Sequence, residues 1–133
     1  MIFVDASAMV AILAEESGAA HLIRRLDEAR SPITSPVAVF ETATALSRKL
    51  NQSHSASQAQ IERFLDASDI RVVPIMPGDG ERALAAHARF GKGRHPARLN
   101  LGDCFAYACA KAHGARLLFI GDDFPQTDIA PAL

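Results

Sequence analysis

Short apolar runs alternate with longer amphipathic stretches along this chain. Ile2-Phe3-Val4 is apolar without interruption, as a strand covered on both faces is. Asp5-Ala6-Ser7 hands over to a helix from Ala8 to about Glu15, and Gly18 breaks it. From Ala19 to Ala29, Leu22, Ile23 and Leu26 share one side while Arg24, Arg25 and Glu28 lie elsewhere, which predicts a second helix. Pro32-Ile33-Thr34-Ser35 reads as a short extended piece. Pro36 suits the first turn of a helix reaching about Leu50, with Val39, Ala43, Leu46 and Leu50 along its apolar stripe. Asn51 to Ser57 is polar and reads as a loop. A helix follows, near Ala56 to Asp66, with Ile61, Phe64 and Leu65 inward. Ile70 to Ile75 reads as a strand, with Pro74 late in it where a missing donor does least harm. Pro77-Gly78-Asp79 opens a helix to about Phe90, and Gly91 to Pro96 is a loop. Leu101 to His113 is strongly helical, closed by Gly114. Leu117 to Ile120 is the last strand. Strands alternating with helices in this way predict an α/β fold around a mostly parallel central sheet with helices on both faces.

Composition narrows the picture. At 133 residues, 49% hydrophobic and 22% charged, the chain reads as one domain, 1–133, that builds its own core. Only 6% is aromatic and Trp is absent, which argues against a stacking platform for single strands. Fourteen basic against fifteen acidic residues disfavour a generally basic nucleic-acid binder but leave room for a local patch. Cys104 and Cys109 would lie about 140° apart around a helix, too divergent to bridge, so they read as small buried hydrophobes in a reducing compartment. The start carries an early acid and no basic leader, and no charge-free run approaches the roughly 20 residues of a membrane span. The expectation is a cytoplasmic protein with no membrane association.

In open α/β sheets the chemistry collects where the strands end. Asp5 ends the first strand, Asp122 and Asp123 follow the last, and Asp103 opens the strong helix. Carboxylates gathered there repel one another and raise one another's pKa. A divalent cation relieves that repulsion, and all-oxygen donors favour Mg²⁺ or Mn²⁺ over Zn²⁺. Such a cation lowers the pKa of water and neutralises phosphate charge, the tools of phosphodiester hydrolysis. Each acid also has a plain structural use. Asp5 suits a helix N-cap, Asn100-x-x-Asp103 suits a capping pair, and Asp122 and Asp123 suit a turn. Glu41 lies opposite the apolar stripe of its helix, near Arg48, and pattern alone makes it a solvated residue.

Several stretches taken together resemble a known family. They are Met1-Ile-Phe-Val-Asp5 followed by Ala6-Ser7-Ala8, Phe40-Glu41 after Pro36, Leu99-Asn-Leu-Gly-Asp103-Cys-Phe-Ala-Tyr-Ala108, and Leu117-Leu-Phe-Ile-Gly-Asp122-Asp-Phe124. Their order and spacing resemble a PIN domain across essentially the whole chain, and specifically the VapC-type toxins of bacterial toxin–antitoxin pairs. The loop Gly91-Lys-Gly-Arg-His-Pro96 is similar to one VapC subgroup. The resemblance implies a PIN-like three-layer sandwich and a Mg²⁺- or Mn²⁺-dependent endoribonuclease. It implies Asp5 and Asp103 as the principal metal ligands and lifts Glu41 to an active-site acid. It gives Ser7 a supporting hydrogen-bonding role beside the first acid. For the fourth acid we prefer Asp122, the first beyond the strand, while Asp123 stays open as it or as a supporting residue. A VapB-type antitoxin, an RNA substrate and homodimerisation are implied as well.

Arg82, Arg89, Lys92, Arg94 and Arg98 gather just before Asp103. An acidic site repels RNA by itself, so this stretch is a candidate phosphate grip, with Lys92 and Arg94 at its centre and Gly91 and Gly93 allowing close approach. The histidines lack metal-ligand spacing; His95 alone lies near enough to serve as a base, and a surface role is the simpler reading. Cys104 follows an acid at a helix start but has no partner base, so core packing suits it better. Two other functions compete. A phosphoacceptor receiver domain needs an acidic pair at the first strand and a late Lys, where this chain has one acid and Gly121. A catalytically inactive PIN fold kept for protein binding has no need of the retained acids. The helix pairs spanning Ala8–Ala29 and Pro36–Asp66 offer apolar grooves to an antitoxin segment.

Overall fold

In the computed structural model, which describes residues 1–133, four parallel strands form one sheet in the order β3-β2-β1-β4. The strands are β1 (Ile2–Val4), β2 (Ile33–Thr34), β3 (Arg71–Val72) and β4 (Arg116–Leu118). Between β1 and β2 lie α1 (Ala6–Leu13) and α2 (Ala19–Asp27); between β2 and β3 lie α3 (Pro36–Lys49) and α4 (His54–Ala67). Helices α5 (Pro77–Phe90) and α6 (Leu101–Ala112) precede β4, and a short 3₁₀ turn at Phe124–Gln126 follows it. The expected α/β architecture with a parallel sheet is what the chain adopts.

β1 is central, with Phe3 in register with Ile33 on one side and Leu117 on the other. Phe3, Val4, Ile33, Leu117 and Leu118 have no accessible surface. Each such side chain contributes roughly 1.5–3 kcal/mol by leaving water. Thr34, also fully buried, donates its hydroxyl to the Val4 carbonyl at 2.8 Å and so adds a side-chain bond between neighbouring strands.

Several boundaries differ from those the pattern predicts. α1 begins at Ala6, because Asp5 itself caps it. α4 begins at His54, inside the stretch read as a loop, because the Ser53 hydroxyl accepts the Ala56 N–H at 3.0 Å. Only Arg71 and Val72 of the predicted third strand pair, and both are exposed, since β3 is a sheet edge. β4 ends at Leu118, and Ile120 is exposed rather than covered. The largest shift concerns α3. Its buried line is Ala38, Thr42 and Leu46, while Val39 and Ala43 are only half-buried and Leu50 is exposed. Thr42 sits in that line because its hydroxyl bonds the Ala38 carbonyl at 2.7 Å, leaving its methyl to pack. The buried face of α3 is therefore turned from the predicted stripe, and this turn moves Glu41.

Because every strand is parallel, all the strand ends that carry chemistry lie on one edge of the sheet. α1 and α3 start from that edge, and α6 runs back from it toward β4. Three helix N-termini therefore face the same place, with dipoles that favour negative charge. No helix is long and apolar enough to cross a membrane.

Candidate active site

Asp5 leaves β1 as the N-cap of α1 and is only 4% exposed. Its Oδ2 accepts the Ser7 N–H at 3.0 Å and the Ser7 hydroxyl at 2.6 Å. The same Ser7 Oγ accepts the Ile120 N–H at 3.0 Å, just beyond β4. Ser7 thus ties the Asp5 carboxylate to the neighbouring strand end. Burial pushes the Asp5 pKa up, and the Ser7 bonds pull against that shift. The capping role and a role in a site are therefore not rivals: the cap is what fixes the carboxylate.

Asp103 lies at the third position of α6. Its Oδ2 accepts the Asn100 N–H at 3.1 Å, and the Asn100 Oδ1 accepts the Asp103 N–H at 2.9 Å. This reciprocal pair is the capping box expected from Asn100-x-x-Asp103. The carboxyl is nevertheless pushed up to about 6. Burial is the main cause, the Asn100 bond opposes it, and the charges of Asp5 and Asp123 add to it.

Glu41 is not the solvated residue its helical position suggested. It is half-buried, and its pKa is pushed up to about 7, by burial first and then by the charges of Asp5 and Asp103. Opposite it stands Gly102 of α6. A Cβ built there would lie 1.9 Å from the Glu41 Oε2 and 2.2 Å from its carboxyl carbon. The missing side chain is what admits the carboxylate. Gly102 is not among the candidate residues above; its one sign in the sequence is a glycine in the first turn of a strong helix, where it weakens helix formation.

The two candidates for the fourth acid differ in their surroundings. Asp122 is exposed and its carboxyl has no partner, only its carbonyl accepting from Gln126. Asp123 is half-buried, acts on Asp103 through its charge, and lies 3.9 Å from Arg98. Glycine-led turns do not keep strand alternation, which is why the first acid after the strand is not the inward one.

None of Asp5, Glu41 and Asp103 has an ion-pair partner. No three ligand side chains have converged to a coordinating set; the acids sit in one another's field without meeting. Buried carboxylates with shifted pKa values and no protein cation suit a hard divalent cation. Asp5 and Asp103, each held by a local cap, and Glu41, admitted by Gly102, are the residues that would hold it.

The basic stretch divides in the structure. Arg82 pairs with Asp79 at 3.2 Å, and Arg89 lies over the Phe90 ring and near Asp128. Lys92 and Arg94 are exposed and unpaired on a loop closed by the Lys92 N–H to the Leu99 carbonyl at 2.9 Å. Gly91 is required there, since a Cβ would come 2.3 Å from the His87 carbonyl oxygen. His95 is used within the loop: its Nδ1 accepts the Ala97 N–H at 3.0 Å and its ring meets Phe90 edge-on. Cys104 and Cys109 are free and buried, with thiols pushed up to about 11 mainly by burial, which makes them core residues.

A parallel four-stranded sheet whose leading edge gathers acids from β1, α3 and α6 defines the PIN class, and residues 2–130 match the PIN domain family. The chain belongs to that family, and within it to the group of the VapC ribonucleases. A VapC ribonuclease of Rhizobium meliloti (strain 1021) is 44% identical across 97% of this chain and 99% of its own length. Ribonuclease VapC42 of Mycobacterium tuberculosis is 39% identical over 97% of each chain. Among solved structures, the VapC20 toxin of M. tuberculosis, described as cleaving the sarcin–ricin loop, superposes with a TM-score of 0.78. It shares 22% identity over 98% of this chain and 97% of that one, a likeness of fold. The receiver alternative ends with the family match.

Proposed function

We propose that this protein is a metal-dependent endoribonuclease, the toxin of a VapBC-type toxin–antitoxin pair, working as one PIN domain in the cytoplasm. The reading is supported by three unpaired carboxylates brought by separate elements to one sheet edge, in a chain whose relatives are ribonucleases. Asp5 and Asp103 serve as principal ligands of Mg²⁺ or Mn²⁺, with Glu41 as the third acid and Asp122 or Asp123 as the fourth. The placement of Asp123 beside Asp103 favours Asp123. The cation, when bound, supplies charge for the scissile phosphate and a lowered pKa for water. Glu41, with a pKa near neutrality, suits holding or passing a proton at its Oε atoms while the attacking water is oriented. Ser7 keeps Asp5 in place, and Lys92 and Arg94 hold RNA phosphates away from the acids. The apolar cavity of about 510 Å³ between α3 and α4, lined by Val39, Phe40, Ala43 and Leu65, offers an antitoxin segment a seat, and a homodimer is expected.

The experiment is RNA cleavage by antitoxin-free protein with Mg²⁺, with Mn²⁺ and with EDTA, beside Asp103→Asn. Cleavage is expected to need the metal and to fall at least about a hundredfold in the variant. Asp103→Asn keeps the shape of the cap and removes a carboxylate with a raised pKa, so its melting temperature is expected to match or exceed that of the parent above pH 7. Cleavage indifferent to EDTA and to the substitution would sink the proposal. An inactive fold has no observation in its favour, since the acids are retained and unpaired.

A further inference from the structure

A cleft of about 660 Å³ opens from the acidic site and runs beside α3. Ser7 and Glu41 stand among its lining residues, as do Arg48, Lys49 and Glu16. Glu41, Thr44, Ala45 and Arg48 all line it, and their spacing of three, four and seven residues puts them on one face of α3. That face leads from acid to base over about 10 Å of helix axis, at 1.5 Å per residue.

The two cations at the far end are not equivalent. Lys49 is bound to Glu16 at 2.8 Å, so each cancels the other's charge. Arg48 is exposed and has no acidic partner. Small residues, Ala6, Ser7, Ala11, Ser17 and Ala45, make up much of the lining. A single free guanidinium at the end of an open cleft, with the reacting centre at the other end, is an arrangement for a second phosphate of the same strand.

We infer that this cleft is the path of the single-stranded RNA leaving the reacting centre, and that Arg48 binds the backbone phosphate next along the strand from the one cleaved. The inference rests on the ribonuclease reading and adds a path for the strand to it. Lys92 and Arg94 lie on the loop before α6, and Arg48 lies at the end of α3. Two grips carried by different elements hold the strand at more than one point. Arg48 acts on the strand and not on the reacting atoms, so it is a positioning residue.

The test uses the full chain carrying Asp103→Asn, which binds without cleaving, and a fluorescent single-stranded oligoribonucleotide in Mg²⁺ at several salt concentrations. Adding Arg48→Ala is expected to weaken binding several-fold and to reduce the slope of log affinity against log salt by about 0.7, the value for one single-strand phosphate contact. Arg48→Lys is expected to keep the slope while losing part of the affinity, because it keeps the charge and loses the fork. Arg116→Ala removes the same charge at the opposite end of the sheet, where β4 begins, and is expected to change neither. An unchanged slope in Arg48→Ala, or an equal change in Arg116→Ala, overturns the inference. So does an Arg48→Ala effect confined to binding of the cognate antitoxin, which would give the cleft to a protein segment instead. Cleavage by the parent chain, read in parallel, keeps the two ideas apart. Active enzyme with unchanged Arg48→Ala binding removes Arg48 and leaves the ribonuclease standing. Binding that depends on Arg48 in a chain that never cleaves removes the ribonuclease and leaves the path.

Discussion

Glu41 shows how much one absent atom can decide. Its carboxylate occupies the space that a side chain at position 102 would fill. Gly102→Ala should therefore spare the fold and damage the site. Alanine gains roughly 1 kcal/mol of helix propensity over glycine in a helix interior, less in the first turn, and the clash falls on the mobile end of Glu41. The expected outcome is a melting temperature within a few degrees of the parent and catalysis lowered tenfold or more, read from kcat and a thermal melt on one preparation. An intact kcat would show that the position of Glu41 is unimportant. The same carboxyl supplies a pH signature. Its folded pKa of about 7 lies above the ordinary 4.5, and that of Asp103, about 6, lies above 3.8. Between those values the folded chain binds more protons than the unfolded one, so stability falls as pH rises from about 4 to about 7. Asp128 acts with the opposite sign and in a lower window, around and below pH 3.8, because the Tyr107 hydroxyl, Lys111 and Arg89 hold its carboxyl low. Comparing melting temperatures with Glu41→Gln isolates the site. In EDTA, the advantage of the glutamine variant is expected to be absent at pH 4 and to grow toward pH 7.5. Mg²⁺ should stabilise the parent most at the higher pH, where the acids are ionised. A difference that ignores pH would contradict the burial of Glu41.

At the scale of elements, the candidate site is assembled from caps. α1 starts on Asp5 and α6 starts on Asn100 and Asp103, so the residues that end a strand or begin a helix are also the acids. Ser7 joins two elements at once, donating to Asp5 and accepting from Ile120. Ser7→Ala loses both contacts and leaves a buried carboxylate with one bond fewer. We expect a loss of about 1–2 kcal/mol in denaturant unfolding, with kcat reduced and KM for RNA little changed. A fall in KM-dependent terms alone would mean that Ser7 touches substrate rather than Asp5. The legibility of these elements in the sequence was uneven for physical reasons. Asp5 and Asn100-x-x-Asp103 could be read because capping is local chemistry, decided within a few residues. The buried face of α3 could not, since it depends on Thr42 hiding its hydroxyl on the helix backbone, which polarity patterns count as exposed. The inward acid after β4 was equally hidden, because it lies beyond the last paired residue, where alternation lapses.

Across the whole molecule, the parallel sheet was readable because short extended pieces separated by helices admit few topologies once a fold must cover both faces. What the pattern did not carry was the partition of charge. Five cations look alike between Arg82 and Arg98, yet Asp79, Asp128 and Asp123 engage three of them. Lys92 and Arg94 remain free to meet RNA. Lys92→Ala with Arg94→Ala is expected to weaken RNA binding strongly and to lower its salt slope by about 1.4, two single-strand contacts, with no change in the melt. A salt slope equal to that of the parent would remove the loop from the RNA surface. The central place of β1 has one more consequence, and it concerns time. Asp5 is synthesised well before β4, but its backbone N–H is bound by the Leu118 carbonyl, and the Ser7 hydroxyl beside it by the Ile120 N–H. The first strand cannot finish its pairing until the last one has emerged. A nascent chain therefore carries the first acid of the site unset until β4 has been made, and the nuclease is assembled only once both strands are present.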